Sequence, residues 1–334
     1  MSGARRKALS IDIQKDSVED SFVANEFVFI KDDVAINSNG ISLRNNPKSF
    51  RLAYEELEIG EILGRGSSSV VVFAKHAPTG TPLALKIINL FDKSKREQLI
   101  REINALYDAQ NPNLISFYGA FYREGAITIA LEYMDGGSLA NVLDQVGPIP
   151  EFVLAGMAYQ VLWGLAYMKH YKRVHRDVKP SNLLINANGL VKVTDFGVSA
   201  ELQNSISMCG TFVGTFKYMS PERIRNHPYS FMSDIWSFGI SMLECATGDY
   251  PFPETSTCID MAQTIIEARI PDAVTRKISP NFGVFLQHCL QPDPDRRLPA
   301  EILLGSPWLH EHGALSLEKS VVIVRSWIDS LSRK

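Results

Sequence analysis

The sequence predicts an α+β protein with two lobes, a small antiparallel sheet with one helix and then a larger, mainly helical part. Its 334 residues, of which 45% are hydrophobic, can bury a large core and suit one bilobal unit or two domains. From Glu58 onward, short strand-like runs alternate with glycine and proline turns. After Asp135 the apolar residues recur at helical spacing, which indicates a change from sheet to helices.

The composition argues against several classes of protein. A formal net charge of −3 gives no reason to expect nucleic acid or a membrane as a partner. The chain has no apolar run near the roughly 18 residues that span a bilayer, and “MSGARRKALS” lacks the hydrophobic segment of a signal peptide. The four cysteines are scattered without a CxxC pair, which is typical of reduced thiols rather than of a zinc site or a disulfide framework. We therefore expect a cytoplasmic or nuclear protein.

Residues 1–50 differ from the rest in being rich in serine, asparagine and aspartate, with isolated apolar clusters. Within “FVFIKDDVAINSNGISL” the sequence predicts a hairpin around Asn39 and Gly40. We expect this segment to be an extension that is only partly ordered.

The predicted sheet consists of “LEIGEIL”, “SVVVFAKH” and “PLALKIINL”. A helix follows, opened by Ser94 with Glu97 three residues later, a pairing in which each side chain satisfies a free amide of the first turn. One face of this helix is predicted to carry Leu99, Ile103 and Leu106.

The helical part begins with a long apolar pattern, and a hairpin in “NLLINANGLVKV” and further helices follow it. The periodic positions of the first pattern are Leu154, Met157, Val161, Leu165 and Met168.

The stretch “ILGRGSSSVVVFAKH” suggests a nucleotide site. Gly64 and Gly66 join two strands, and without Cβ atoms they let backbone amides approach a polyphosphate. Ser69 stands where a third glycine is usual, and glycine-rich hairpins are also common as purely structural turns. Lys86 lies alone in the apolar run “LALKII”, where a charge is costly unless it is paired. Glu102 on the following helix could supply the partner; the alternative is an edge-strand lysine that faces solvent.

Polar residues are concentrated in “VHRDVKPSNLLIN”, although apolar residues flank it on both sides. Burying so many polar groups is costly unless they are paired or functional. Asp177 could accept or orient a hydroxyl proton, Lys179 could stabilise a transferring phosphoryl group, and Asn182 could offer a neutral oxygen to a metal. In “VTDFG”, Asp195 could bind a magnesium ion that bridges phosphates. The pattern predicts that these side chains face a nucleotide and its metals at the rim of a core.

These motifs follow one another in a set order, from the glycine-rich loop through “HRD” and “DFG” to “SPE”, with “SDIWSFGI” and “DPDRRL” after them. In this order and spacing the sequence resembles a eukaryotic protein kinase. The resemblance implies a bilobal kinase fold in residues 58–309, with the N-lobe in 58–134 and the C-lobe in 135–309. The flanking segments, 1–50 and 310–334, would be an N-terminal extension and a C-terminal tail.

The kinase resemblance implies ATP and Mg²⁺ as cofactors and assigns roles to the motif residues. Lys86 would hold the α and β phosphates and pair with the helix glutamate. Asp177 would orient the acceptor hydroxyl with Lys179 beside it, and Asn182 and Asp195 would bind magnesium.

Other positions follow from the same resemblance. The stretch “LEYM”, Leu131 to Met134, is similar to the gatekeeper and hinge that dock adenine, and Glu222 and Arg297 would form a buried structural pair. The residues implied to contact ATP or its phosphates are Leu63, Gly64, Arg65, Gly66, Ser67, Ser68, Ser69, Val70, Val71, Lys86, Glu102, Glu132 and Met134.

Four stretches narrow the resemblance to the MAP kinase kinases: “FYGAFY”, “EYMDGGSL”, “DFGVSAEL” and “FVGTFKYMSPERI”. The segment “NSISMCGTFVGT” is similar to the plant type, in which five residues separate a Ser and a Thr, here Ser205 and Thr211. The resemblance implies a dual-specificity kinase that phosphorylates Thr and Tyr in the activation loop of a MAP kinase. An upstream MAP kinase kinase kinase would activate it at Ser205 and Thr211.

Both ends of the chain allow two interpretations. In “RRKALSIDI”, Arg5, Arg6 and Lys7 precede alternating aliphatic residues, which resembles a docking peptide for a MAP kinase; the alternative is a solvated, disordered terminus. In “LEKSVVIVRSWIDSL” an amphipathic helix could recruit the upstream kinase or simply pack on the C-lobe, and both could hold. Its apolar face would contain Val321, Val324, Trp327 and Leu331.

Two other functions stay open at this point. A kinase of a neighbouring Ser/Thr family would have a different substrate, and Lys179 in “HRDVKPSN” suits a Ser or Thr acceptor. A pseudokinase scaffold would bind partners without catalysis, and only Ser69 favours it. The residues that argue against it are the intact Lys86, Asp177, Asn182 and Asp195.

Overall fold

Two antiparallel sheets form the N-terminal part of the chain, and helices form most of the remainder. This division confirms the predicted α+β class with two lobes. The computed structural model describes residues 22–24, 28–31, 34–43, 46–66, 69–89, 99, 103–104, 106–107, 109–195, 216–253, 255, 257–267, 270, 274 and 276–331.

The larger of the two sheets carries the predicted nucleotide motifs. Its strand order is β6-β7-β8-β10-β9, and neighbouring strands are antiparallel. Lys86 lies opposite Val71 on one side and Ile129 on the other, so it occupies the central strand and is not an edge-strand lysine. The strands are β6 Leu57–Arg65, β7 Ser69–His76, β8 Thr81–Asn89, β9 Phe117–Arg123 and β10 Ala126–Glu132.

A second antiparallel sheet precedes it, in the segment that the sequence predicted to be a partly ordered extension. The strands run in chain order, and the predicted hairpin is confirmed, since Asn37 pairs with Gly40 across the turn. Gly40 has φ 142°, and a Cβ there would lie 2.1 Å from the Phe50 carbonyl oxygen, so only glycine fits. The strands are β1 Phe22–Ala24, β2 Val28–Lys31, β3 Val34–Asn37, β4 Gly40–Leu43 and β5 Asn46–Arg51.

This N-terminal sheet packs against β9 and against the helical residues that follow β8. Phe29, Ile36 and Ile41 are almost fully buried and belong to one core with Ile103. The Phe50 ring meets the Tyr107 ring edge-on, with centroids 4.9 Å apart. The sheet is therefore a second layer of the N-lobe.

The described part of the N-lobe helix agrees with its predicted pattern. Leu99, Ile103 and Leu106 are all buried, as their spacing predicts. Its first turn, with Ser94 and Glu97, lies outside the described residues.

The C-terminal lobe is built around one long buried helix. This helix runs from Glu151 to His170 and buries the five periodic residues that the sequence predicted. Among the described residues the helices are α1 Leu139–Val146, α2 Glu151–His170, α3 Pro221–Ile224, α4 Phe231–Thr247, α5 Cys258–Glu267, α6 Pro280–Cys289, α7 Ala300–Leu303, α8 Pro307–Glu311 and α9 Leu317–Leu331. The predicted hairpin consists of β11 Leu183–Ile185 and β12 Val191–Val193.

The terminal helix α9 packs on α2. Val324 and Trp327 are buried, and a Cβ on Gly156 of α2 would lie 3.0 Å from the Ser320 carbonyl oxygen. The packing interpretation of this helix is thus confirmed, while recruitment of another kinase stays a prediction. In the part of the chain that the structure describes, the helices are all too short or too polar to cross a bilayer.

We predict that Ile41→Ala lowers the free energy of unfolding by about 2–5 kcal/mol, because the truncation leaves a cavity between the two sheets. Ser42→Ala, on the neighbouring exposed position of the same strand, should change it by less than about 0.5 kcal/mol. Urea unfolding of the full chain measures both values. Equal, small effects would mean that the N-terminal sheet does not share the core of the N-lobe.

Candidate active site

The predicted site residues meet where the two lobes join. Lys86 comes from β8, Asp195 follows β12, and the HRD loop (residues 175–182) connects α2 to β11. The chain passes between the lobes at Leu131–Met134, and Ile115 donates its backbone N–H to the Val193 carbonyl at 3.0 Å. Strand β12 therefore fixes the position of Asp195 relative to the N-lobe.

Lys86 and Asp195 form a direct ion pair. Lys86 Nζ lies 2.8 Å from Asp195 Oδ1, and the lysine is 7% exposed. Burial alone raises the pKa of Asp195, but the charge and hydrogen bond of Lys86 outweigh it and hold the pKa below its usual value. Asp195 has φ 64°, a left-handed conformation that is rare outside glycine and typical of functional sites. The carboxylate stays ionised, as a metal ligand must.

Asp177 is held by two side chains of its own loop. Lys179 Nζ and Asn182 Nδ2 both lie 2.9 Å from Asp177 Oδ2, and Asn182 Nδ2 also donates to the Asp177 carbonyl at 2.8 Å. Neither side chain uses Asp177 Oδ1 for these bonds. The loop thus fixes the carboxylate through one oxygen.

The backbone of the HRD loop is supported by the buried side chain of Asp234. His175 and Arg176 donate their N–H groups to its two carboxylate oxygens, each at 2.8 Å. Burial raises the pKa of Asp234 despite these bonds. His175 Nε2 is 2.8 Å from the Thr194 carbonyl and must donate to it, so Nδ1 accepts the Asp177 N–H at 3.2 Å and the ring is neutral.

The glycine-rich segment forms the tip of the β6–β7 hairpin. Gly64 pairs with Val71 and Arg65 with Val70, while the Gly66 N–H donates to the Ser69 carbonyl at 2.8 Å. A Cβ on Gly66 would lie 3.1 Å from Ser69 Oγ, whereas one on Gly64 would meet no described atom within 4 Å. The space beside Gly64 is therefore open, whereas that beside Gly66 is tight. Leu63 is exposed on the same strand, and Ser67 and Ser68 lie outside the described residues.

The predicted hinge contains an ion pair that sequence reasoning missed. Lys192 Nζ of β12 lies 2.7 Å from Glu132 Oε2, and Ser116 Oγ donates to the same oxygen at 2.7 Å. Met134 is buried at the end of the hinge. Lys192 stands alone among apolar residues in “LVKVT”, which is the same signal that identified Lys86.

The predicted pair of Glu222 and Arg297 is confirmed. Arg297 Nη1 and Nη2 donate to the two Glu222 oxygens at 2.8 and 2.7 Å, and Ser233 Oγ donates to Oε1 at 2.7 Å. Burial raises the pKa of Glu222, but the bonds and charge of Arg297 outweigh it and lower the pKa to about 2. Because the pair is bidentate and buried, it joins α3 rigidly to the Arg297 segment.

The donor set at the join of the lobes fits magnesium. Asn182 uses its amide nitrogen on Asp177, which leaves the oxygen Oδ1 as its ligand atom, and Asp195 supplies an ionised carboxylate. Within the described ranges, His, Cys, Asp and Glu form no group of three that could hold a metal alone. Magnesium commonly takes one or two carboxylates together with substrate phosphates and water, so a nucleotide would complete this site.

Glu102, the phosphorylation sites Ser205 and Thr211, and the basic cluster at Arg5–Lys7 lie outside the described residues.

The comparisons with known proteins all identify protein kinases. The family profile described as “Protein kinase domain” matches residues 57–309. Mitogen-activated protein kinase kinase 3 of Arabidopsis thaliana is 44% identical over 287 residues, which cover 85% of this chain and 54% of that relative. This chain therefore spans about half the length of that relative.

Other relatives match over most of their own length. Mitogen-activated protein kinase kinase 2 of Arabidopsis thaliana is 38% identical over 322 residues, with 91% of this chain and 89% of the relative covered. The dual specificity mitogen-activated protein kinase kinase dSOR1 of Drosophila melanogaster is 37% identical over 314 residues, with 86% and 77% covered.

We predict that Glu222→Gln costs about 3–5 kcal/mol of folding free energy at pH 7, because it leaves the Arg297 charge buried and unpaired. Since the folded pKa is about 2 and the ordinary value is 4.5, the stabilising contribution is complete above about pH 5 and is lost as the pH falls toward 2. The difference between wild type and Glu222→Gln should therefore shrink by about 2 kcal/mol between pH 6 and pH 3.

Urea unfolding at the two pH values measures this difference. Glu301→Gln is the matched control, since its pair with Lys169 is partly exposed and should be worth less than about 1 kcal/mol. A difference that stays constant with pH would contradict the assigned pair.

Proposed function

Because this chain belongs to the protein kinase family and, within it, to the mitogen-activated protein kinase kinases, we propose that it transfers phosphate from ATP to Thr and Tyr in the activation loop of a MAP kinase. The observation that carries the proposal is the joint placement of the Lys86–Asp195 ion pair and the Asp177 carboxylate, which are held by β8, by the segment after β12 and by the HRD loop. Such a constellation suits a reaction whose catalysis consists of positioning and charge stabilisation.

Each charged group has a chemical task in this scheme. Lys86 binds phosphate oxygens, and its pairing with Asp195 keeps its ammonium group charged in a buried place. Asn182 and Asp195 would hold a magnesium ion, which would neutralise part of the phosphate charge. The segment Leu63–Val71, with Glu132 and Met134 at the hinge, encloses the nucleotide.

Asp177 orients the acceptor hydroxyl and receives its proton. Lys179 and Asn182 occupy Oδ2, so Oδ1 is the oxygen that faces the hydroxyl. Lys179, whose Nζ lies 2.9 Å from Asp177 Oδ2, would offset the negative charge of the transferring phosphoryl group.

The decisive experiment combines the purified chain, ATP and magnesium with catalytically inactive MAP kinases and maps the modified residues. We expect phosphate on Thr and Tyr of the activation loop. Lys86→Met, Asp195→Ala and Asp177→Asn should each lower turnover by at least ~100-fold while the variants stay folded, because each removes charge stabilisation or proton transfer.

The outcomes separate the alternatives. Phosphate on Ser or Thr of unrelated proteins, with the MAP kinases unmodified, would favour a neighbouring Ser/Thr kinase. A wild type without transfer to any protein, both before and after phosphorylation by the upstream kinase, would favour a scaffold.

We also propose a place for this protein in a cascade. An upstream MAP kinase kinase kinase phosphorylates it at Ser205 and Thr211, and the basic N-terminal segment at Arg5–Lys7 docks the MAP kinase through an acidic patch. Helix α9 remains a candidate docking surface for the upstream kinase. We expect the protein to act in the cytoplasm or nucleus.

Arg176 is the proposed receptor for the activating phosphate. It follows His175 in the HRD loop, and its buried Nε has no hydrogen-bond partner among the described residues. A phosphate brings roughly −1.5 to −2 charges and three acceptor oxygens, which such a guanidinium can bind.

We predict that the double variant Ser205→Ala, Thr211→Ala gains no activity from the upstream kinase and ATP, whereas the wild type does. Acidic replacement of both residues should give intermediate activity, because a carboxylate has about one charge and two oxygens. Arg176→Ala should reduce the activity of the phosphorylated and of the acidic forms. Full activation of the double alanine variant would place the switch elsewhere.

A further inference from the structure

Arg223 is a second arginine that contacts the HRD loop, through the backbone of Arg176. Arg176 has φ 75°, a left-handed backbone that a side chain with a Cβ adopts only when its surroundings impose it. Its N–H is held by Asp234, as described above. Its carbonyl accepts a hydrogen bond from Arg223 Nη1 at 2.6 Å. Thus both backbone groups of the strained residue are bonded to charged side chains.

Arg223 comes from the short helix α3 and is 6% exposed. Its neighbour on this helix, Glu222, forms the rigid ion pair with Arg297. Since the helix is fixed through Glu222, the backbone from which the Arg223 side chain extends is fixed as well.

Tyr229 joins the two arginines. The guanidinium carbons of Arg176 and Arg223 both lie 5.4 Å from the centroid of the Tyr229 ring. An aromatic ring attracts cations at this distance, so one ring offsets the repulsion between two like charges. The Tyr229 side chain is 40% exposed, and its contact with the loop is therefore made from the surface side.

We propose that Arg223, supported by Tyr229, is a positioning residue that fixes the Arg176–Asp177 peptide and thereby sets the position of the Asp177 carboxylate. The inference rests on the proposed kinase function, because it explains how the catalytic carboxylate of that function is oriented. The step from Arg223 to Asp177 is short: the carbonyl that Arg223 holds belongs to the peptide whose nitrogen is that of Asp177.

The charges around Arg223 agree with this role. Burial lowers the pKa of Arg223, while Asp234, Tyr229 and Asp177 oppose the change. An arginine stays protonated even so. It therefore keeps the charged N–H donor whose hydrogen bond the Arg176 carbonyl accepts.

The test compares substitutions of Arg223 with one at Arg225, an exposed arginine two residues further along the chain. In the full chain, Arg223→Met should lower kcat on a catalytically inactive MAP kinase by roughly 10- to 100-fold, with the KM for ATP changed by less than about 2-fold, because the nucleotide contacts are elsewhere. Arg223→Lys, which keeps a donor and a charge, should recover part of the loss. Arg225→Met should match the wild type.

A second measurement does not depend on activity. Amide hydrogen exchange of the peptide that spans residues 174–178 should become faster in Arg223→Met and stay unchanged in Arg225→Met, since only the first loses the bond to the loop. If the wild type fails to phosphorylate a MAP kinase, the proposed function is wrong, and the exchange experiment still decides the role of Arg223.

Tyr229→Leu covers the case in which Arg223→Met does not fold, because a half-exposed side chain tolerates replacement. It should lower kcat by about 2- to 5-fold through loss of the cation contacts, whereas Tyr229→Phe keeps the ring and should behave as wild type. Unchanged kcat and unchanged exchange in Arg223→Met, or in Tyr229→Leu if the first variant is unfolded, would overturn the proposal. A rise in the KM for ATP alone would do the same.

Discussion

Asp234 accepts the backbone N–H groups of His175 and Arg176 on the two oxygens of one buried carboxylate, and the site is assembled on this contact. The HRD loop is not a regular helix or strand over residues 175–179, so its backbone groups need side chains as partners. A fully buried carboxylate on the long helix α4 supplies two of these bonds from a rigid support. The neutral His175 ring then connects the two parts of the site, because it bonds both the Thr194 carbonyl, beside Asp195, and the Asp177 amide.

The same constraint explains why charged residues are so frequent around this loop. A buried charge is costly unless paired, and each pair here also fixes the relative position of two segments. Lys86 connects the N-lobe sheet to Asp195, Lys192 connects β12 to the hinge, and Arg297 connects α3 to the base of the C-lobe. These contacts lie between segments far apart in the sequence. Each buried charge is stabilised only when its partner is in place, so the pairs hold the segments where the lobes join in one defined geometry.

The sequence predicted which residues form the site better than it predicted the contacts between them. Asp177, Lys179 and Asn182 stand within six positions, so local spacing sufficed to bring them together. Lys86 was noticed because it interrupts an apolar strand, and one of its partners in the structure is Asp195, 109 positions away along the chain. Nothing in local periodicity specifies such a partner. Lys192 has the same setting as Lys86, and its pairing with Glu132 shows that the rule of a lone cation in an apolar strand applies twice.

The N-terminal sheet was missed for a different physical reason. Its strands are three to six residues long, and only the β3–β4 turn has the asparagine and glycine that signal a hairpin. Such short strands are not stable alone, and what stabilises them is the apolar surface of β9 and the N-lobe helix.

The N-terminal sheet also stabilises the elements on which it packs. Phe50 packs on Tyr107 and Phe117 together, so β5 holds the N-lobe helix against β9. Gly119 in β9 permits this approach, because a Cβ there would lie 3.3 Å from Leu52 and 3.4 Å from Phe50. A helix that precedes the hinge and follows the Lys86 strand is thus packed by residues that lie before the kinase domain in the sequence. The segment that resembled an extension is, in physical terms, a part of the lobe that carries Lys86.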